Sequence, residues 1–77
     1  MNMHISTALQ EDLLNEIVDD KIPVTVFLMN GFQIRGTVAD HDDAVVVLET
    51  EGKQQIVFKH AISTITPFRP LKALKEK

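Results

Sequence analysis

The 77-residue chain has no cysteine, no tryptophan and no tyrosine, and only three prolines and three glycines. Without cysteine, disulfide staples and thiolate metal sites are excluded, and a reducing, cytoplasmic setting is the expectation. No apolar run approaches the roughly 18 residues that cross a bilayer, so no membrane partner is expected. The first residues, Met1-Asn2-Met3-His4-Ile5-Ser6, lack the basic and apolar regions of a secretory signal. Positive charge is scarce as well. Eight Lys and Arg stand against 11 Asp and Glu, for a net charge of -3, and the pI is about 5.4. Such a balance argues against nucleic-acid binding unless basic groups are gathered locally. The length allows one domain with a marginal core, and with disulfides excluded self-association is the remaining stabilising device.

What is present begins with a helix. Thr7-Ala8-Leu9-Gln10 has capping-box spacing, with Thr7 as the cap and Gln10 three positions on. Glu11 and Asp12 are then expected in the first turn, where the helix dipole favours acid. Leu9, Leu13, Leu14, Ile17 and Val18 form one apolar stripe at helical spacing. Pro23 disfavours helix at Ile22, so the helix should end near Asp20. Residues 1–6 are expected to be a flexible lead.

From Pro23 the pattern turns to strands. Val24-Thr25-Val26-Phe27-Leu28 is β-branched and aromatic, and Asn30-Gly31 marks a hairpin because both residues tolerate positive φ. The return strand runs from Phe32 to Ala39, with Gly36 predicting a bend or a close backbone approach. Asp40-His41-Asp42-Asp43 reads as a turn, Ala44 to Leu48 as the third strand, Glu51-Gly52 as a turn and Gln54 to Phe58 as the fourth strand. A fifth, Ser63 to Thr66, precedes Pro67 and Pro70. The fold class is therefore mainly β: an N-terminal helix, then a five-stranded, strongly bent antiparallel sheet or barrel. The domain spans 7–67, and 68–77 is expected to be a mobile tail, with a frayed helical turn as the alternative over 71–77. The fourth and fifth strands look like free edges, which invite pairing with another copy, and head-to-tail pairing that closes makes a ring.

The link Lys59-His60-Ala61-Ile62-Ser63 holds a cation and an imidazole at a sheet end. Taken alone, His60 is most simply a turn residue, and Phe27 and Phe32 ordinary packing. Asp40-His41-Asp42-Asp43 is read as a solvated turn with Asp42 bonding nearby amides, because consecutive residues rarely converge on one metal. His60 with Ser63 lacks an orienting third group, so no enzyme and no cofactor are expected.

With its flanking elements in order, Lys59-His60-Ala61-Ile62-Ser63 resembles the signature of Hfq, the bacterial Sm-like RNA chaperone family. Leu9-Gln10, Ile22-Pro23-Val24, Asn30-Gly31 and Gly36 agree with it. Asn30 to Gly36 and Glu51 to Gln55 are similar to its Gram-positive branch. The resemblance covers about residues 8–67. It implies an Sm-like fold assembled as a homohexameric ring through pairing of the fourth and fifth strands. It also implies binding of single-stranded RNA, both small regulatory RNA and messenger RNA. On the helix-side (proximal) face it implies uridine-rich RNA at Gln10, Lys59 and His60. On the opposite (distal) face it implies adenine-rich RNA, with Phe27 and Phe32 stacking bases. There Leu28, Gly31 and Ile34 shape the wall, Gln54 and Thr64 read base edges, and Asn30, Gln33 and Arg35 lie close by.

Three departures qualify this. Ala44, after Asp43, stands where the family usually carries an aromatic residue that stacks uracil. Val18-Asp19-Asp20-Lys21 replaces a basic rim, and Phe58 stands where Tyr is frequent. The expectation is weak uridine binding, weak rim annealing and a dominant distal face. The reading from a different class is a structural or protein-interaction ring with little RNA binding.

Overall fold

The computed structural model describes residues 7–75, so the expected flexible lead at 1–6 lies outside the described residues. Helix α1 spans Thr7–Asp19. Thr7 is already helical, which moves the cap outside the described residues and leaves no acid in the first turn. Within the apolar stripe Leu14 and Ile17 are buried, with Leu13 and Val18 packed at the margin. The helix ends in a Schellman closure. Lys21 takes a left-handed φ of 52°. The Lys21 N–H bonds the Val18 carbonyl at 3.2 Å, and the Ile22 N–H bonds that of Ile17 at 3.0 Å. This closure turns the chain so that Ile22 joins the core beside Ile17.

Five strands follow: β1 Pro23–Leu28, β2 Gln33–His41, β3 Val45–Thr50, β4 Lys53–Phe58 and β5 Ile62–Pro67. All pairings are antiparallel, in the order β4-β3-β2-β1-β5. A single 3-10 turn, Lys59–Ala61, links β4 to β5. Two strands joined by three residues yet lying at opposite edges require a sheet that curls back on itself. Alternating residues fill the inside, with Val24, Val26, Val46 and Leu48 fully buried.

The hairpins form where expected, but the positive φ at both turn residues that Asn30-Gly31 allows is found at Glu51-Gly52 instead. At Asn30-Gly31 only Gly31 has positive φ, 94°. Gly31 N–H bonds Leu28 O at 2.9 Å and Leu28 N–H bonds Phe32 O at 2.8 Å. That is a three-residue loop closed by a left-handed glycine. The two-residue turn with both φ positive is Glu51-Gly52, at 52° and 81°, between the paired Thr50 and Lys53. Strand β2 also runs on through His41, into the segment expected to be a turn, with a register shift between Val38 and Asp40. Gly36 makes the predicted close approach. A Cβ there would run into the Glu49 carbonyl oxygen and the Thr50 hydroxyl. That same hydroxyl donates to Arg35 O at 2.6 Å and fixes the crossing.

Residues 68–73 differ from the expectation of a tail outside the folded unit. Phe68 N–H bonds Pro23 O at 3.0 Å, Leu71 is buried, and a short helix α2, Lys72–Lys75, follows. The prolines end β5, but Leu71 supplies a missing piece of core and Arg69 finds partners on α1. The close approach at Gly36 sets a test. Gly36→Ala should destabilise by about 1–3 kcal/mol through overpacking. Gly31→Ala, with open space around its Cβ, should cost only roughly 1 kcal/mol for the left-handed backbone. Urea unfolding midpoints at one protein concentration compare the two.

Candidate nucleic-acid interface

On the helix side, Gln10 and Glu11 of α1, His41 at the end of β2, the turn Asp42 to Ala44, and Lys59 surround one cleft of about 600 Å³. The turn is built by Asp42, whose carboxylate accepts the N–H groups of Ala44 at 2.8 Å and Val45 at 2.9 Å. Ala44 O in turn accepts the Lys59 N–H at 2.8 Å, tying the 3-10 turn to this wall. The Ala44 and Val45 amides hold the Asp42 carboxyl below the usual carboxylate range, with a smaller attraction from Lys59. The structure thus brings Gln10 and Lys59 to one cleft with Ala44 at its side. Among the described residues the cleft is lined by no Phe, Tyr or Trp, its one aromatic ring being the His41 imidazole, and it holds three acids, Glu11, Asp42 and Asp43.

His60 does not line this cleft. Its ring stacks on Phe58, with centroids 5.8 Å apart and planes at 27°. Ser63 Oγ lies 3.4 Å from Thr64 Oγ1. The sequence reading missed His41 as a wall residue. Its Nε2 meets Asn15 Oδ1 at 2.8 Å, a contact across 26 residues that no local pattern signals. Asp40 Oδ1 accepts the His41 N–H, and Asp42 is engaged as above. Among the described residues, no group of three or more His, Cys, Asp or Glu is placed to hold a metal ion.

The other site residues divide by face. Gln33, Phe27 and Thr64 lie side by side across β2, β1 and β5. Arg35 pairs with Thr25 one row along on the same face. Phe32, 70% exposed, stands next to this row at the hairpin, where its N–H bonds Asn30 Oδ1 at 3.0 Å. Leu28 and Ile34 lie on the opposite side, against the core. Gln54 sits on β4, paired with Glu49, at the far edge of the same chain's sheet. One chain therefore collects Phe27, Phe32, Asn30, Gly31, Gln33, Arg35 and Thr64 near one end, and leaves Gln54 apart.

Both edges are unpaired in the sheet. On β4, Ile56 (66% exposed) and Phe58 offer large apolar side chains to solvent. Among the described residues, no helix is long and apolar enough to cross a membrane.

Comparisons with known proteins agree on one family. The model described as "Hfq protein" matches residues 9–72. The chain is 56% identical over 66 residues to an RNA-binding protein Hfq of Syntrophomonas wolfei, covering 86% of this chain and 80% of that one. It is 57% identical over 67 residues to the RNA-binding protein Hfq of Halalkalibacterium halodurans, covering 87% and 86%. A crystal structure of a pleiotropic translational regulator, Hfq, superimposes with a TM-score of 0.73 at 43% identity, covering 75% of this chain and 97% of that one. An Hfq protein from Anabaena sp. gives 0.67 at 25% identity, with coverage of 78% and 93%.

The cleft's turn can be tested by titration. Because the folded pKa of Asp42 is lowered, its caps are complete above the ordinary carboxylate range and are lost as pH falls through the lowered value. The amide proton resonances of Ala44 and Val45 should shift together with one apparent pKa below that of a free aspartate. In Asp42→Asn this shared titration should be absent.

Proposed function

The chain belongs to the Hfq family and has its Sm-like fold, and on that premise we propose that it binds single-stranded RNA as a cytoplasmic post-transcriptional regulator, chiefly through the face carrying Phe27 and Phe32. The observation that carries this is Phe32, a large aromatic ring 70% exposed beside the polar row Gln33–Phe27–Thr64. An exposed ring at a hairpin has no packing role to explain it, and aromatic rings are stacking platforms for unpaired bases. Preference for adenine comes from the neighbouring polar groups, Asn30, Gln33 and Thr64, while Arg35 faces phosphate. The partners are small regulatory RNAs and messenger RNAs, whose pairing the protein assists.

The working form in this proposal is a homohexameric ring, in which β4 of one copy pairs with β5 of the next. Its support is the pair of free edges and the exposed Ile56 and Phe58. Such pairing would bring the next copy's Gln54 toward Thr64, completing a distal site that one chain leaves divided. On the helix side, Gln10, Lys59 and His60 take uridine-rich RNA weakly, because the platform is missing at Ala44 and Asp42 and Asp43 repel phosphate. The exposed Asp19 and Asp20 make the rim a poor annealing surface. These acids also favour the second reading, a structural ring with little RNA binding.

Fluorescence anisotropy with labelled oligoadenine and oligouridine at two salt concentrations decides between them. RNA binding predicts tight, salt-weakened oligoadenine binding and much weaker oligouridine binding. No binding to either selects the structural ring. Phe32→Ala should cost about 1–3 kcal/mol per stacked base, roughly 5- to 150-fold in oligoadenine affinity, without changing the sedimentation of the ring. Ala44→Tyr should raise oligouridine affinity by a similar factor. Ile56→Asp should shift sedimentation toward single chains.

A further inference from the structure

The segment after β5 is attached to α1 at several points. Arg69 reaches two carboxylates one helical turn apart, with Nη1 3.3 Å from Glu16 Oε2 and Nη2 2.6 Å from Asp20 Oδ2. Glu16 then accepts two backbone N–H groups, Lys72 on Oε2 at 2.7 Å and Ala73 on Oε1 at 2.9 Å. Its side chain is only 13% exposed. The Lys72 and Ala73 amides, with Arg69 beside them, lower its pKa. Between these polar anchors Leu71, 5% exposed, enters the core. Leu71 also lines an open, largely apolar cleft together with Gln10, Leu13, Leu14, Lys59 and Ile65.

A 13-residue helix is marginal in water and stays formed through tertiary contacts. One flank of α1 rests on β2, through its apolar stripe and the Asn15–His41 bond. The other flank is held by residues 69–73. Gln10 lies six residues from Glu16 on the same helix, about 9 Å along the axis. A pivot of α1 on β2 would therefore carry Gln10 away from Lys59.

We infer that Glu16 is a positioning residue: with Arg69, Leu71 and the amides of Lys72 and Ala73 it forms a clamp that fixes α1 across the barrel end and holds Gln10 at the cleft with Lys59. The inference rests on the proposed helix-side RNA contact for its functional effect, and on the described geometry alone for its structural effect. Without the Glu16 carboxylate, the Lys72 and Ala73 amides lose their acceptor, Arg69 Nη1 keeps only the Pro70 carbonyl at 3.0 Å, and that flank of the helix is left to the Arg69–Asp20 pair and the burial of Leu71.

The test uses the full chain, as wild type, Glu16→Ala, Glu16→Gln and Arg69→Ala. Trypsin cleavage after Lys72 reads the clamp directly. It should speed up by about tenfold in Glu16→Ala, as local opening controls cleavage. Amide exchange at residues 9–13 reads the helix, and it should accelerate by about tenfold as well. Oligouridine affinity should fall about fivefold or more, while oligoadenine affinity is unchanged. Glu16→Gln, which keeps one acceptor oxygen and the shape, should lie between wild type and Glu16→Ala in all three. Faster cleavage with unchanged exchange at 9–13 overturns the inference, because the tail then docks without positioning the helix. So does an equal loss of oligoadenine binding, which would mean general unfolding. If the wild type binds no oligouridine, the helix-side reading fails, and exchange at 9–13 still decides the clamp. If Glu16→Ala does not fold, Arg69→Ala leaves both backbone bonds in place and gives the same three readouts, with smaller changes expected in the same directions.

Discussion

At Gly36 the backbone of β2 passes the end of β3 with no room for a methyl group. Much else in the molecule depends on that contact. It lets a nine-residue strand serve two partners, β1 along its first half and β3 along its second. The Thr50 hydroxyl, bonded to Arg35 O, holds the crossing from the other side. Because the sheet bends there, its two outer strands come close enough to be joined by only Lys59–Ala61. That short link sets a cation and an imidazole at the sheet end. Lys59 faces the helix-side cleft and His60 is turned onto Phe58.

Charge is distributed to different ends. The chain carries a net charge of -3, yet its acids are not spread as a uniform field. Asp42 is occupied in shaping a turn, and Glu16 and Asp20 are occupied in holding Arg69. The row of Gln33, Phe27 and Thr64, with Arg35 on the same face, contains no acid. An acidic total is therefore compatible with a local aromatic row free of acid, Glu49 entering that face only two rows on, opposite Thr37, while the helix-side cleft is crowded by Glu11, Asp42 and Asp43.

The strands, their order along the chain and the role of Gly36 were legible because each is written in neighbouring residues. Alternation, β-branching and glycine placement are local signals. The turn geometries were legible only in part. Asn30-Gly31 and Glu51-Gly52 both announce hairpins, but which one closes in two residues depends on strand register, which pairing across the sheet decides. The helix-side cleft was half legible: Gln10 and Lys59 both line it, whereas His41 joins them with a contact to Asn15 that sequence spacing does not reveal. The region after Pro67 was legible only in part: a helical turn forms at Lys72–Lys75, but the docking of Leu71 leaves no local signal. Two prolines signal the end of strand structure correctly, but they say nothing about whether a following leucine finds a hole in the core.

That leucine has a consequence for how this part of the molecule can vary over evolution. Leu71 belongs to the same buried cluster as Val24, Val46 and Leu48, so the folded unit is not complete when the last strand ends. Up to Ala73 the chain is bound by side-chain size and hydrogen bonding, and an insertion or deletion there would pull a core residue out of place. Inheritance should therefore treat positions 68–73 as part of the body, conserving the size of the side chain at 71 as strictly as at any strand position of the core.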